Sequence, residues 1–270
     1  MSTQDFLQLV TDRRFNALEE AWTLAVADGA NAVDTLVKAL AVAAEAGAGN
    51  QVEMLAWTWL NDYRQAADPA DALDLAMTLL DIVPASEQIR KDMADLYRQV
   101  FPDRCDAILS ASGLAAGQPS DRVLRVLRAC AKAVAGAFVV ERTERQAFEV
   151  RDFDADEGTY TLKGARGGGI EVGARDLAYH YEVVDGDDFR VLRQLNPQRL
   201  ATLIADDPAA IVVGILRTRA KGGMTAEQLH DELCPQFIES RAWSRWFTAA
   251  KTALRDRKST RLNSSHRIRS

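Results

Sequence analysis

A few residue groups in this 270-residue chain have types and spacings that could do chemistry. His230 and Cys234 lie four apart, the spacing at which two metal ligands share a helix face, but a zinc site needs further donors and the sequence places none beside them. Asp187-Asp188 and Asp206-Asp207 are paired acids of the kind that hold Mg²⁺. Adjacent side chains point apart, however, and Asp207 before Pro208 reads as a helix cap. Gly164-Ala165-Arg166-Gly167-Gly168-Gly169 is glycine-rich, yet it has neither the Lys-Ser/Thr of a phosphate-binding loop nor the GxGxxG spacing, so it reads as a turn between strands. His180 and His230 join no Ser/His/Asp or Cys/His set. No catalytic residue, metal or cofactor is therefore assigned.

What remains is aromatic contact chemistry. Trp243, Trp246, Phe247, Ala250 and Leu254 form a heavy apolar stripe at helical spacing, flanked by Arg245 and Lys251. Phe153, Tyr160, Tyr179 and Tyr181 are numerous enough to line a ligand-binding cage, or else to fill the core and rim of a small domain. Trp243, Arg245, Trp246, Phe247, Phe153 and Tyr160 are the expected interaction surface.

The elements that must position these residues fall into three segments. From residue 1 to 136 the pattern is helical: Phe6, Leu9, Val10, Phe15, Leu18 and Trp22 recur at three-to-four spacing, as do Val33, Leu36, Val37, Leu40, then Val52, Leu55, Trp59, Tyr63, then Leu73, Leu75, Met77, Leu80. Breaks are expected at Asp28-Gly29, Gly47 to Asn50, Asp68-Pro69, Val83-Pro84 and Phe101-Pro102, with Pro69 at a first helical position and Ser86 at an N-cap. Short loops between amphipathic helices predict an irregular, α-solenoid-like array of helical hairpins. Residues 137–186 change period: Ala137 to Val140, Gln146 to Val150, Gly158 to Leu162 and Gly169 to Val172 are short β-branched or aromatic runs between charged or glycine turns. They predict a small SH3/Tudor-like barrel. Residues 187–255 return to helix, with Asn196-Pro197 and Asp207-Pro208 opening two helices, Gly222-Gly223 as a break, Thr225 and Gln228 as a capping box, and Ser240 starting the tryptophan helix. The fold class is thus mainly α with a small β module.

The final stretch, Asp256 to His266, reads DRKSTRLNSSH, the translation of a common sequencing-adapter oligonucleotide. Residues 256–270 are accordingly expected to be a non-native, disordered tail, and the natural protein to continue past Arg255. That tail holds Arg257, Lys258, Arg261, Arg267 and Arg269 against Asp256, so the overall net charge of −6 becomes −10 for residues 1–255. An acidic chain lacks the broad basic footprint of a nucleic-acid binder, although Arg122, Arg125, Arg128 and Lys132 make a local basic strip. Protein partners are the expectation. There is no signal-peptide pattern at the N-terminus, and the purest apolar run, Ala209 to Leu216, is far short of the roughly 18 residues of a membrane span, which predicts a cytoplasmic protein without membrane contact. Cys105, Cys130 and Cys234 are odd in number and far apart, so they read as small buried hydrophobes.

The run Gly223-Met224-Thr225-Ala226-Glu227-Gln228-Leu229 resembles helix-turn-helix modules. The helix after the turn carries Glu227, Asp231 and Glu232, which would face phosphates with negative charge and argues against DNA recognition by it. A broader resemblance covers about Phe138 to Leu254. The order Asp152-Phe153, Gly158, Ala174, Leu177, Asp188-Phe189, Asn196-Pro197-Gln198-Arg199-Leu200, Asp207-Pro208 and Trp243-Ser244-Arg245-Trp246-Phe247 is similar to that in the N-terminal extensions of long Gre-type (GreA/GreB-like) transcript-cleavage elongation factors. Phe138-Val139-Val140 stands where such extensions often carry a Gly-Trp-Gly-like lead-in. The resemblance implies RNA polymerase as partner and a non-catalytic accessory role, with the coiled-coil hairpin and FKBP-like domain of such factors expected beyond Arg255. The other expectation is a free-standing helical adaptor that binds a peptide through its β module.

Overall fold

The computed structural model describes residues 3–27, 33–218 and 223–267. The expected breaks at Asp28-Gly29 and Gly222 lie outside them. The described chain is mainly α-helical with one five-stranded antiparallel sheet.

The first eight helices are α1 (Thr3–Thr11), α2 (Phe15–Ala27), α3 (Val33–Glu45), α4 (Gly49–Ala66), α5 (Pro69–Ile82), α6 (Glu87–Val100), α7 (Cys105–Ser112) and α8 (Ser120–Lys132). Local chemistry sets their ends. Asp68 accepts from the Ala70 N–H at 2.9 Å with Pro69 in the first turn of α5, and Ser86 accepts from the Ile89 N–H at 3.3 Å to start α6. Gly47 turns the chain between α3 and α4 at φ +88°, a conformation that favours glycine. Neighbours then stack in the order of the chain. α1 touches α2 and α3, α2 touches α4, α3 touches α4 and α5, α4 touches α5 and α6, α5 touches α6, and α6 touches α7, so from α3 to α6 each helix packs on the next. That is the pattern of stacked helical hairpins. The apolar helix α5 buries Ala72, Leu73, Leu75, Ala76, Met77, Leu79 and Leu80, because it has neighbours on several sides.

The strands are β1 (Phe138–Glu141), β2 (Ala147–Asp154), β3 (Thr159–Gly164), β4 (Gly169–Gly173) and β5 (Tyr181–Val184), in spatial order β4-β3-β2-β1-β5. β1 pairs antiparallel with β2 (Val139 opposite Phe148) and with β5 (Val139 opposite Val183). The glycine-rich segment is the β3–β4 turn, with Gly167 at φ +79°. Between β4 and β5 lies a short helix that the strand pattern did not foretell, α9 (Ala174–His180).

The last helices are α10 (Phe189–Leu195), α11 (Pro197–Asp206), α12 (Pro208–Arg217), α13 (Ala226–Leu233) and α14 (Trp243–Arg267), with a single 3₁₀ turn, Ser240–Ala242, leading into α14. Asn196 is both the C-cap of α10 and the N-cap of α11, and Asp207 is both the C-cap of α11 and the N-cap of α12. Both expected proline-led starts are present, as is the capping box, with Thr225 accepting from the Gln228 N–H and Gln228 from the Thr225 N–H. Where a disordered tail was expected, α14 runs on to Arg267. No glycine or proline occurs from Trp243 to Arg267, so the backbone ladder meets no breaker. Residues 268–270 lie outside the described residues.

The chain divides into two compact units. One comprises residues 1–131 with Phe153–Tyr160 and Gly173–Tyr179; the other comprises Lys132–Asp152, Thr161–Val172 and residues from His180 onward. No described helix is long and apolar enough to cross a membrane.

Candidate functional site

The tryptophan helix is the best-defined candidate site. Leu200, Ile204, Ile211, Val212, Ile215, Leu229, Leu233, Ile238 and Ala250 form a buried cluster, and Trp243, Trp246, Phe247 and Leu254 pack against it half-buried. Stacking aligns the rings: Trp243 lies parallel to Phe247 at 5.2 Å and an angle of 9°, and beside Trp246 at 5.5 Å. His230 meets Trp243 edge-on at 5.2 Å, and Lys251 stands 4.7 Å over the Phe247 ring.

The indole N–H of Trp246 donates to the Ile204 carbonyl at 2.9 Å. Local sequence explains this bond. Ile204 lies in the last turn of α11, where a carbonyl would ordinarily accept from the amide four residues on, but residue 208 is proline and has no N–H. A side chain 42 positions away supplies the donor instead.

The opposite face of α14 is polar. Ser244, Arg245, Thr248, Lys251, Thr252 and Arg255 are exposed along it, whereas the acids of α13 point to other partners: Glu232 pairs with Arg193 at 2.9 Å and Asp231 with His230 at 3.3 Å. The negative charge expected to face phosphates therefore belongs to α13, and α14 as far as Arg255 presents basic and hydroxyl groups. Residues 190–267 match the GRAD helix-turn-helix domain family. No match was found among curated proteins or solved structures. The matched span covers α10 to α14, and the similarity concerns that part of the chain alone.

The other expected contact residues are placed differently. Tyr160, named as a surface residue, is fully buried, so as folded it offers no area to a partner; it faces inward on β3, where burial of a large ring outweighs exposure of one hydroxyl. Phe153 is half-buried against it, with ring centroids 4.6 Å apart. Tyr181 instead meets Phe148 at 6.0 Å, and Tyr179 lies under Arg125 at 5.0 Å. The four aromatics are thus divided among three separate contacts and do not form a cage.

Around Tyr160 lies a buried polar cluster that periodicity could not reveal. The Tyr97 hydroxyl has no hydrogen-bond partner among the described residues, the Tyr160 hydroxyl lies against the Cys130 thiol, and burial pushes both phenols far above their ordinary range. Cys130, also fully buried, is pushed up to about 11, chiefly by burial, and its thiol lies 3.7 Å from the Ala174 carbonyl. Cys105 and Cys234 are buried free thiols as well, as the sequence led us to expect.

The remaining candidates have structural roles. Asp188 caps α10 at the Arg190 N–H (2.9 Å) and grips the Arg190 guanidinium at 2.9 and 2.8 Å, while Arg190 also reaches Glu182 at 3.0 Å. The bonds to Asp188 are the main reason its guanidinium is held even more firmly protonated than usual. Asp207 caps α12 at the Ala210 N–H, and Asp187 pairs with Arg199. In the basic strip, Arg128 bonds Asp81 and the Met77 carbonyl, and Arg125 covers Tyr179. Among the described residues no group of three or more His, Cys, Asp or Glu is placed to hold a metal.

Proposed function

We propose that residues 1–255 are the accessory N-terminal region of a longer Gre-type elongation factor, non-catalytic in itself and acting through protein contacts with RNA polymerase. The observation that carries this reading is the motif order from Asp152-Phe153 to Trp243-Trp246-Phe247. Its members fall on structural joints: Asp188, Asn196 and Asp207 are helix caps, and the aromatic residues form one packed stripe on α14. A motif whose members are joints specifies an arrangement of helices, which suits a docking module better than a reaction centre. Reading the gene past Arg255 tests it. A long heptad-rich hairpin followed by an FKBP-like module is expected, and their absence would sink the proposal. A pull-down with residues 1–255 separates this reading from that of a free-standing adaptor, for which other partners would be recovered without polymerase subunits.

A second reading is favoured by the exposed face of α14. Arg245, Lys251 and Arg255 with three hydroxyl side chains could contact nucleic-acid phosphates, a role compatible with the helix-turn-helix similarity. Titration of labelled duplex DNA at two salt concentrations decides it. Binding that weakens with salt and is lost in an Arg245→Ala/Lys251→Ala variant supports DNA contact; no binding at low salt refutes it.

A further inference from the structure

The helical array carries two adjoining clefts that the motif order does not use. One, of about 330 Å³ between α2 and α4, is lined by Trp22, Thr58, Trp59, Asp62 and Tyr63 among others. The second, of about 240 Å³ among α3, α4 and α5, is lined by Asp34, Val37, Tyr63, Asp71, Asp74 and Leu75 among others. Tyr63 lines both, so the two clefts flank one side chain as a paired groove. Behind the first cleft the buried Trp22 and Trp59 pack edge-on at 5.6 Å, and Trp59 backs the half-buried Tyr63 at 6.5 Å.

The rim is acidic and unneutralised. Asp34, Asp62, Asp71 and Asp74 are all exposed, and none of their carboxylates forms an ion pair among the described residues. The arginines that bridge acids elsewhere in the array are engaged there: Arg64 with Asp92, Arg98 with Asp95 and Asp106, and Arg128 with Asp81. Lys38, one turn along α3 from Asp34, is exposed and unpaired and offsets only part of the charge. In the wall, Trp22 is only 3% exposed and its indole N–H has no acceptor.

We infer that this groove docks a basic peptide segment of a protein partner, with lysine or arginine side chains against the Tyr63 ring and the four carboxylates. Cleft size favours side chains over a whole small molecule, since drug-sized ligands occupy about 300–1,000 Å³ and each half is near or below that floor. Two clefts sharing one wall suit neighbouring side chains of a single segment. Unpaired carboxylates beside aromatic faces attract cations by charge and by the ring quadrupole together. The same acids repel nucleic acid. The inference concerns residues away from α14 and stands whether or not the Gre-type reading holds.

The test uses the full chain and a fluorescein-labelled twelve-residue lysine/leucine peptide, with its glutamate/leucine counterpart as control. Anisotropy is followed at low and high salt. We expect saturable binding of the basic peptide only, weakened at least tenfold by Asp62→Asn/Asp71→Asn/Asp74→Asn and several-fold by Tyr63→Ala. A charge-matched variant elsewhere in the array, Glu45→Gln/Glu87→Gln/Asp121→Asn, should bind within twofold of the parent. Equal losses in both triple variants would mean that net charge alone attracts the peptide and would overturn the inference, as would the absence of binding to the parent. Because all the substituted acids are exposed, an unchanged circular-dichroism melt is expected for each variant.

Discussion

Substituting Trp246 by phenylalanine isolates the contact on which α14 is seated. The change keeps an aromatic ring on the apolar cluster but removes the donor to the Ile204 carbonyl, which Pro208 cannot replace. One such bond contributes about 0.5–1.5 kcal/mol net, and loss of part of a half-buried ring adds a few tenths more, so a cost of about 1–2 kcal/mol is expected. Two compact units need not unfold together, so a single denaturation midpoint would mix their stabilities. Amide hydrogen exchange by mass spectrometry separates them. Exchange in peptides spanning α11 and α12 should rise about five- to thirtyfold, since about 1.4 kcal/mol is a factor of ten, while α5 and α6 stay within experimental error. Phe247→Leu loses ring area but retains the indole bond, so its effect should be smaller at the C-terminal end of α11 than over the rest of the unit. If Trp246→Phe leaves α11 exchange unchanged, the indole is not the group that closes that helix, and the account of α14's seat fails.

Other outcomes follow from the same reasoning. Cys130 has a folded pKa raised from 9.0 to about 11, so its contribution is complete below pH 9 and is lost as pH climbs from 9 to 11; Cys130→Ala should flatten that part of the decline, worth about 2 kcal/mol between melts at pH 8 and 10.5. Asp188→Ala removes the α10 cap and leaves the Arg190 guanidinium, whose side chain is only 15% exposed, with Glu182 alone, at a cost of about 2 kcal/mol, read as faster exchange in α10; Asp188→Asn, which keeps the cap, should recover about 1 kcal/mol. Tyr97→Phe deletes a buried hydroxyl that has no partner and should be neutral or stabilising by up to about 1 kcal/mol in thermal melts; a loss above 1 kcal/mol would show that the hydroxyl is bonded in solution.

Local chemistry made much of this fold legible. Pro69, Ser86, Asn196-Pro197, Asp207-Pro208 and the Thr225/Gln228 pair mark helix starts through bonds within three residues, and such bonds are written in neighbouring letters. The seven residues of α9 span barely two turns, too few for a 3.6 period to stand out between two strands. Tyr160 read as a surface aromatic because alternation along β3 does not say which face is covered. The bond from Trp246 to Ile204 and the division of Trp22, Trp59, Tyr63 and Asp62 between core and groove depend on contacts far apart in sequence. Periodicity reports that a helix has an apolar side; it does not report where that side is left open.

The doubled caps at Asn196 and Asp207 have a consequence for how this protein can vary in length. Because one residue ends a helix and starts the next, α10, α11 and α12 are joined without slack. A single inserted residue at either joint would turn the following helix by about 100° and carry Ile211 and Ile215 off the cluster they now fill. Natural insertions and engineered tags should therefore be rejected at these two joints and accepted in the Gly164 to Gly169 turn, where lengthening moves no buried side chain out of register.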